Sequence, residues 1–472
     1  MLDGGGHGGS LRDTPRPHKV STATLQSMLS VIEERLDEPT ARGLANAIGR
    51  AVSDGVLRSG MRLPPIRTVA VQLALSPTTV SSAWNMLARS GTIQTDGRRG
   101  TVISAHRAGP ARYRRALDAR GSAFELDLST GTPDPALLPD LRPALRRIEV
   151  GFAVSSYLDD PVLPALEKLL REDWPFDAER FAVVDGAMDA MQLIAASMLH
   201  FGDRVGVEQP CFLPLLDLLD SIGVTPIPIR LDDSGPMPID VRAALEAGAK
   251  MIFTQPRAQN PTGISTTAER FEELARVLRN EDVLIVEDDS AGAISSSPAL
   301  SLGSVLPENT LHIRSYSKSH GPDLRLAAIS GPGELVDQLV DRRFLGQGWT
   351  SRLLQTVLVD LLTHAPTIRA VDRARDVYRK RRELAVAALR AQGIDVRGTD
   401  GLNIWMPVRD EPAALLRLAT HGIGVLPGRP FWVGAPGPSH VRVTVGLITA
   451  DAASVAAELA AAALTGGPTA PR

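Results

Sequence analysis

Between residues 124 and about 370, short apolar segments of the sequence alternate with longer helical ones. Most of the apolar segments end at polar residues, as in FAVVDG, RVGVEQP, MIFTQP, VLIVEDD and LHIRSYS. Such alternation indicates helices packed around a mostly parallel sheet, so we predict an α/β domain. The tail, residues 371–472, holds a long helical segment, two strand-like segments and an Ala-rich helix, which predicts a smaller α+β subdomain.

The composition of the 472-residue chain is typical of a soluble globular protein, with 43% hydrophobic and 22% charged residues. Cys211 is the single cysteine, so no disulfide can form within the chain, as is usual in a reducing compartment. Residues 1 to about 20 are Gly-rich and polar, which predicts a disordered arm and not a signal peptide. Because no apolar run is long enough to span a membrane, we expect a cytoplasmic protein without membrane contact.

The region between residues 41 and 104 is strongly basic, although the whole chain has a net charge of −3. It contains eight arginines and two aspartates, with neither lysine nor glutamate. The next segment, residues 105–123, adds five arginines and is marked by Gly and Pro, which is typical of a linker. A basic module joined to an acidic body indicates a polyanion as the partner of the module.

Within residues 39–104 the pattern predicts three helices and then a two-stranded hairpin. Thr40 caps the first helix, residues 66–75 form the second, and Ser76 caps a third with Pro77 in its first turn. Two helices joined by so tight a turn form a helix-turn-helix, whose second helix enters the DNA major groove. A small helical bundle with a solvated arginine face is the alternative.

The hairpin carries Arg98 and Arg99 at its turn, where they suit the minor groove or the DNA backbone. The whole module resembles the winged-helix domain of GntR-type regulators, through Gly60, Leu63-Pro64, Arg67, Ala70, Ser76, Thr79-Val80, Leu87, Gly91 and Gly100-Thr101. This resemblance implies double-stranded operator DNA as the partner. It places the DNA contacts at Arg67, Thr78, Thr79, Arg99 and Thr101.

One lysine draws notice because the chain has so few. Only five of its 51 basic residues are lysines, and Lys318 lies in SYSKSHGPDLR, directly after a predicted strand. A lysine amine can lose its proton and attack a carbonyl carbon, which a guanidinium cannot do. A surface lysine in a loop is the ordinary alternative.

Three further segments bear on the role of Lys318. Each of them alone is a weak indication of a functional site. DGAMDAMQL places Gly186 and Ala187 at a helix start, where unpaired N–H groups bind phosphate. RAQNPTG presents Asn260 as an amide donor, although Asn-Pro and Thr-Gly are common loop dipeptides. VLIVEDDS ends a buried strand at carboxylates that include Asp288, where parallel sheets bind ligands, although a solvated loop or a metal site also fits them.

The order and spacing of these segments resemble fold-type I aminotransferases, which bind pyridoxal phosphate (PLP). The resemblance implies that Lys318 forms the Schiff base and that Asp288 pairs with the ring nitrogen, so these two are the catalytic candidates. Other predicted cofactor contacts are Gly186, Ala187, Met188, Ser315, Ser317 and Arg325 at the phosphate, Phe212 on the ring, and Asn260 at the phenolate oxygen. Arg442 matches an arginine that binds the substrate or effector carboxylate, and Tyr157 a phosphate-binding tyrosine that often comes from a partner subunit. No metal site is predicted.

A GntR-type winged helix followed by such a domain is similar to the MocR-type regulators, over about residues 40 to 460. This resemblance implies a homodimer whose effector, a small amino compound or PLP itself, acts at the Lys318–PLP linkage and changes DNA binding. Ser290 stands where a tyrosine is usual, which predicts at most weak transaminase activity, and Val162 and Glu167 replace a usual Gly and Arg. An aminotransferase that carries a DNA-binding domain and a degenerate dimerisation scaffold are the alternatives.

These observations together predict five segments. Residues 1–38 form a disordered arm and a short helix, and residues 39–104 a winged helix-turn-helix domain. A linker, residues 105–123, leads to a large PLP-binding domain at 124–370 and a small C-terminal subdomain at 371–472.

Overall fold

The computed structural model describes ten stretches of the chain, which are residues 22–53, 56–58, 60–89, 92–96, 100–103, 124–148, 156–157, 159–435, 437–449 and 452–466. The chain divides into two compact units between residues 107 and 108. The division falls inside the predicted linker, which lies outside the described residues. The five segment boundaries themselves stay predictions.

The first unit consists, in its described part, of four helices and a hairpin. The helices are α1 (Thr22–Glu33), α2 (Ala41–Ser53), α3 (Ile66–Gln72) and α4 (Pro77–Arg89), and the antiparallel strands are β1 (Ile93–Asp96) and β2 (Gly100–Ile103). The predicted order of three helices and a wing is therefore confirmed. α3 ends three residues before its predicted end, and Ala74 beyond it has a φ of 52°, which is not helical.

The apolar positions at helical spacing form the core of this unit. Ile48 of α2 and Leu87 of α4 are fully buried, and Ile32 of α1 is fully buried as well. Thr40 caps α2 as predicted, because its Oγ1 accepts a hydrogen bond from the N–H of Gly43 at 3.0 Å.

The second unit is built on an eight-stranded sheet. Its strands are β4 (Arg180–Val184), β5 (Arg204–Gln209), β6 (Thr225–Asp232), β7 (Gly235–Pro236), β8 (Ala249–Thr254), β9 (Leu284–Asp289), β10 (Thr310–Ser315) and β11 (Ala327–Gly331). They lie in the order β4–β11–β10–β9–β8–β5–β6–β7. β7 and β11 run antiparallel to their neighbours and the other pairs are parallel, so the predicted mostly parallel sheet is confirmed.

Helices cover both faces of this sheet. They are α5 (Arg142–Arg147), α6 (Pro164–Glu172), α7 (Ala187–Met198), α8 (Leu213–Ile222), α9 (Pro238–Glu246), α10 (Ala268–Leu278), α11 (Gly333–Phe344) and α12 (Arg352–Thr363). α7, α8 and α11 contribute to one core cluster, and α6, α9, α10 and α12 contribute to two others. Because the central strands are buried on both faces, even the polar residues inside them are buried, such as His312 and Arg314 of β10.

The C-terminal region forms the predicted α+β subdomain. Its antiparallel sheet has the order β12–β15–β14, formed by β12 (Ile404–Pro407), β14 (Leu426–Pro427) and β15 (His440–Val443), and its helices are α13 (Ala365–Ala391), α14 (Glu411–Thr420) and α15 (Ala452–Leu464). α13 runs across the boundary predicted at residue 370. β3 (Leu126–Asp127), near the predicted start of the large domain, pairs in parallel with β13 (Ile423–Gly424). Among the described helices, none is long and apolar enough for a membrane span.

Candidate cofactor site and nucleic-acid interface

Lys318 lies in the turn that follows the central strand β10 and is half-buried. Burial lowers the pKa of its amine, the carboxylates of Asp288 and Asp289 oppose this effect, and Arg442 adds to it. A lowered pKa increases the neutral fraction of the amine, which is the form that attacks a carbonyl carbon. The structure therefore places a reactive type of amine at the carboxyl end of the sheet.

Asp288 lies on β9, the strand next to β10, and is 3% exposed. Its carboxylate accepts hydrogen bonds from Gln255 Nε2 at 2.7 Å and from Ser290 Oγ at 2.5 Å. Burial raises the pKa of this carboxyl, and the hydrogen bonds from Ser290 and Gln255 and the charge of Lys318 act in the opposite direction. A cation that binds beside Asp288 would favour its ionised form, as a protonated ring nitrogen would.

Two residues that the sequence analysis missed lie behind Asp288. Gln255 directly follows β8, and its Oε1 accepts the N–H of Asn260 at 2.8 Å. Glu208 on β5 accepts hydrogen bonds from Thr254 Oγ1 at 2.6 Å and from Gln255 N–H at 3.0 Å. Burial raises the pKa of Glu208 to about 7. The one sequence signal for Gln255 is its position just after an apolar strand. Many residues without a functional role occupy such a position, so the signal alone does not identify Gln255.

The predicted phosphate site lies at the N-terminus of α7. Gly186 precedes Ala187, the first residue of the helix, and has a φ of 99°. A Cβ added to Gly186 would lie 2.8 Å from Arg325 Nη2, so the guanidinium occupies the space that only a glycine leaves open. Arg325 also donates to the carbonyl of Asp185 at 3.0 Å. The structure thus brings together Gly186 and Arg325, while Ala187 and Met188 follow in the first turn.

Ser315 and Phe212 border the same region. Ser315 is the buried last residue of β10, and its Oγ accepts the N–H of Ser317 at 3.3 Å. Phe212 directly precedes α8, is half-buried, and lines one small cavity together with Gln255 and Asp288. Its ring therefore lies near the carboxylate predicted to hold the cofactor ring nitrogen.

Arg442, on β15, is 4% exposed and brings the small subdomain into the site. Its Nη1 donates to Asn260 Oδ1 at 3.2 Å, and its Nη2 donates to the carbonyl of Ser129. The Cβ that Gly131 lacks would lie 3.2 Å from Arg442 Nη2. The residue predicted to bind a carboxylate thus contacts the residue predicted to bind the phenolate oxygen.

Tyr157 is not joined to these residues by the contacts found in the described part of the chain. Its side chain is 85% exposed and stacks on Trp349, with ring centroids 5.9 Å apart. The guanidinium of Arg352 lies over the Trp349 ring, with its Cζ 4.9 Å from the ring centroid. The two positions that depart from the family pattern have local roles: Val162 is buried in the core, and Glu167 forms an ion pair with Arg171 within α6.

Four of the predicted DNA-binding residues lie in the described part of the first unit, and each is exposed or half-buried. Ser76 caps α4, because its Oγ accepts the N–H of Thr79 at 3.0 Å, and its Oγ also lies 2.7 Å from the hydroxyls of Thr78 and Thr79. Thr78 is exposed and Thr79 half-buried at the start of the helix. Arg67 is exposed on α3, and Thr101 lies half-buried on β2. These positions suit the insertion of α4 into a groove.

The wing adds one arginine that the sequence analysis did not propose. Arg62 is exposed, and its backbone forms an isolated antiparallel β-bridge with Val102 of β2. Its Cδ lies 3.8 Å from the point where Gly100 would carry a Cβ, so the side chain runs along the hairpin. Arg98 and Arg99 lie outside the described residues.

Comparison with known proteins identifies both parts. Residues 125–459 match the family described as aminotransferase class I and II, and residues 40–103 match bacterial regulatory proteins of the gntR family. The vitamin B6 salvage pathway transcriptional repressor PtsJ of Salmonella typhimurium is 35% identical over 421 residues, covering 87% of this chain and 95% of the relative. The chain belongs to the MocR-type regulators. The pyridoxine biosynthesis regulator PdxR of Corynebacterium glutamicum is 26% identical, covering 84% of this regulator and 90% of the relative.

Solved structures confirm the fold of the large unit. A kynurenine aminotransferase of Pyrococcus horikoshii has a TM-score of 0.67 at 22% identity, covering 76% of this regulator and 94% of that chain. The aspartate aminotransferase of Thermus thermophilus has a TM-score of 0.63 at 24% identity, covering 74% of this regulator and 95% of that chain. The predicted fold-type I architecture is therefore confirmed.

The aminotransferase class I and II fold is PLP-dependent, and the described residues of this regulator fit that cofactor. The space beside Gly186 is occupied by a guanidinium at a helix N-terminus, which suits a phosphate. The buried Asp288 suits a protonated ring nitrogen, and Lys318 supplies an amine with a lowered pKa. When bound, PLP supplies an aldehyde that condenses with amines and a ring that withdraws electrons. The roles of the individual residues stay predictions.

Proposed function

We propose that this regulator binds PLP at Lys318 and operator DNA through α4 and the wing, and that a ligand at the PLP site changes DNA binding. One observation carries the proposal: a winged helix-turn-helix unit shares the chain with a site where Gln255 bonds both Asp288 and Asn260, and Arg442 bonds Asn260. Such a site is built to recognise a ring and a carboxylate, and the DNA-binding unit supplies the output.

Each residue of the site has a chemical task in this proposal. Lys318 holds the cofactor and yields its place to an incoming amine, and Asp288 keeps the ring nitrogen protonated. Asn260 donates to the phenolate oxygen, and Arg442 binds the carboxylate of the effector in a bidentate fork. The phosphate is bound by Gly186, Ala187, Met188, Ser315, Ser317 and Arg325, and Phe212 stacks on the ring.

The class of effector follows from the chemistry of the site. An amino acid or similar amine can replace Lys318 at the cofactor and reach Arg442 with its carboxylate. The names of PtsJ and PdxR both refer to vitamin B6 metabolism, as a salvage pathway repressor and a pyridoxine biosynthesis regulator. This common theme favours PLP itself as a second effector, sensed by occupancy of the site.

We further propose that the regulator is a cytoplasmic homodimer. Tyr157 and Trp349 stack on each other, Tyr157 is 85% exposed and Leu345 is 89% exposed. Exposed aromatic residues are typical of protein interfaces, and Leu345 lies four residues before Trp349 in the sequence. A dimer would also present two winged helices to a two-fold symmetric operator.

The proposal is tested with Lys318→Ala in the full-length protein. PLP added to the parent is expected to give a visible absorption band that Lys318→Ala lacks, while circular dichroism stays unchanged. In a mobility-shift assay, PLP or an amino acid is expected to change the operator affinity of the parent but not of the variant. An identical absorption band in both proteins would contradict the cofactor role of Lys318. Transfer of amino groups from an amino acid to a keto acid at rates of ordinary enzymes would favour an aminotransferase instead.

A further inference from the structure

The two polar residues predicted to contact the PLP ring, Asp288 and Asn260, are both hydrogen-bonded to the side chain of Gln255. Gln255 Nε2 donates to Asp288 Oδ2 at 2.7 Å, and Gln255 Oε1 accepts the backbone N–H of Asn260 at 2.8 Å. Gln255 is 9% exposed, so both hydrogen bonds are sheltered from water. A buried amide without hydrogen-bond partners would lower the stability of the fold. The two bonds also require a side chain that ends in both a donor and an acceptor, as glutamine does.

The backbone of Gln255 is fixed as well. Its N–H donates to the buried Glu208 at 3.0 Å, and Glu208 is held in turn by Thr254 Oγ1 at 2.6 Å. The residue directly follows β8 in the interior of the sheet. Neither the backbone nor the side-chain amide of Gln255 can therefore move without breaking a buried hydrogen bond.

We infer that Gln255 is a positioning residue, which holds Asp288 ionised at the ring nitrogen and holds Asn260 at a fixed distance from it. This inference rests on the proposed binding of PLP at Lys318. A single planar amide links the Asp288 carboxylate to the backbone of Asn260, so it fixes the position of the Asn260 backbone relative to that carboxylate. Gln255 itself touches neither the cofactor nor the effector in this proposal.

Loss of the amide has a definite electrostatic consequence. Asp288 would lose a hydrogen bond to its ionised form, so its pKa would rise further. A less ionised Asp288 stabilises the protonated ring nitrogen less, and the ring then withdraws fewer electrons from its linkage to Lys318. The pH midpoint of the visible absorption band is therefore expected to rise.

The test compares Gln255→Met with Gln355→Met in the full-length protein loaded with PLP. Methionine approximates the volume of glutamine and removes its hydrogen bonds. Gln355 is a matched control because it is fully buried and bonded at both ends of its amide: Nε2 donates to the carbonyls of Pro161 and Thr350, and Oε1 accepts the N–H of Leu163. Gln355 has no hydrogen bond to Asp288 or Asn260 among those of the described residues.

Gln255→Met is expected to weaken PLP binding about 10-fold or more, as for the loss of a hydrogen bond to a charged group. It is also expected to raise the absorption midpoint by about one pH unit, while Gln355→Met changes neither quantity. Parent values in Gln255→Met would overturn the inference, and so would equal changes in both variants, which would show a purely structural role.

A second variant covers the case in which Gln255→Met does not fold. Gln255→Glu keeps an acceptor for Asn260 but replaces the donor to Asp288 with a second carboxyl group, so the absorption midpoint is again expected to rise. An unchanged midpoint in Gln255→Glu would overturn the inference. A parent protein without any Lys318-dependent absorption band would instead contradict the proposed function, so the two failures are distinguishable.

Discussion

Gly186 and Gly248 illustrate at the residue scale how the surroundings of a side chain decide its role. Both have positive φ values, 99° and 79°, which disfavour any other residue. The surroundings differ: a Cβ on Gly186 would lie 2.8 Å from Arg325 Nη2, whereas a Cβ on Gly248 would meet nothing within 4 Å. Substitutions at the two glycines can therefore distinguish the effect of backbone strain from the effect of a steric clash with Arg325.

Gly186→Ala is expected to weaken PLP binding about 10-fold, or ~1.4 kcal/mol, because the added methyl group displaces Arg325 from the phosphate site. Equilibrium dialysis of PLP against the purified protein measures the effect. Gly248→Ala also places alanine at a positive φ, away from Arg325, and is expected to leave the PLP affinity unchanged. Equal losses in both variants would mean that strain, and not the contact with Arg325, explains the result.

Glu208 makes the stability of the second unit depend on pH. Burial raises its folded-state pKa to about 7 from the ordinary 4.5, so its contribution to stability is complete below pH 4.5 and is lost as the pH rises through 7. Glu208→Gln removes this titration. Relative to the variant, the parent is expected to lose up to about 3 kcal/mol between pH 4.5 and pH 8, measured by urea denaturation. A constant difference across this range would contradict the raised pKa.

At the scale of elements, the start of α4 carries the DNA-binding prediction. The Ser76 cap leaves Thr78 exposed at the N-terminus of the helix, and Arg67 is exposed on the preceding α3. Helix N-termini and arginines both attract phosphate groups, so this end of α4 suits entry into a DNA groove. Arg62, which runs along the wing, extends the same basic surface.

Arg67→Ala and Thr79→Ala are each expected to weaken operator binding about 10-fold, or ~1.4 kcal/mol, without changing the PLP absorption band. Fluorescence anisotropy with labelled operator DNA at fixed salt measures the affinity. Arg276→Ala is the matched control, because it removes the same charge from the second unit. Among the described residues, the one hydrogen-bond partner of the Arg276 side chain is the carbonyl of Glu272 in its own helix. Parent-like DNA affinity in both test variants would place the DNA contacts elsewhere.

At the scale of the whole molecule, the stacked pair formed by the exposed Tyr157 and the half-buried Trp349 bears on assembly. The segment that carries Trp349 also reaches the phosphate site: Arg343 donates to Asp189 at 2.5 Å and to Asp185 at 3.3 Å, just before Gly186. A surface that holds two copies together would therefore be connected to the phosphate site by the partly buried hydrogen bonds of Arg343.

Trp349→Glu is expected to convert the proposed dimer into a monomer, because it places a charge within an apolar contact. Sedimentation velocity of the full-length protein measures the change. Leu416→Glu places the same charge at another exposed hydrophobic residue, on α14, and is expected to leave the dimer intact. A parent protein that sediments as a monomer would refute the dimer.

Local patterns were sufficient to predict most elements of this protein. Thr40 and Ser76 cap helices where their hydroxyls can reach the third residue beyond, and the capping signal depends on a few neighbouring residues only. The buried strands were predictable where they contain a short apolar run, such as FAVV in β4 and LIV in β9. The pairing of β3 with β13 was not, because two short strands nearly 300 residues apart carry no local sign of each other.

The sequence by itself determined the α/β architecture, the winged helix-turn-helix and, through the family resemblance, the cofactor class, since these depend on residue types, order and spacing. Only the tertiary structure decided that Gln255 bonds both Asp288 and Asn260, that Glu208 lies buried beneath them, and that Arg442 reaches Asn260 from the small subdomain. The physical reason is that hydrogen bonds and pKa values depend on distance and burial, which packing sets between residues far apart in the chain.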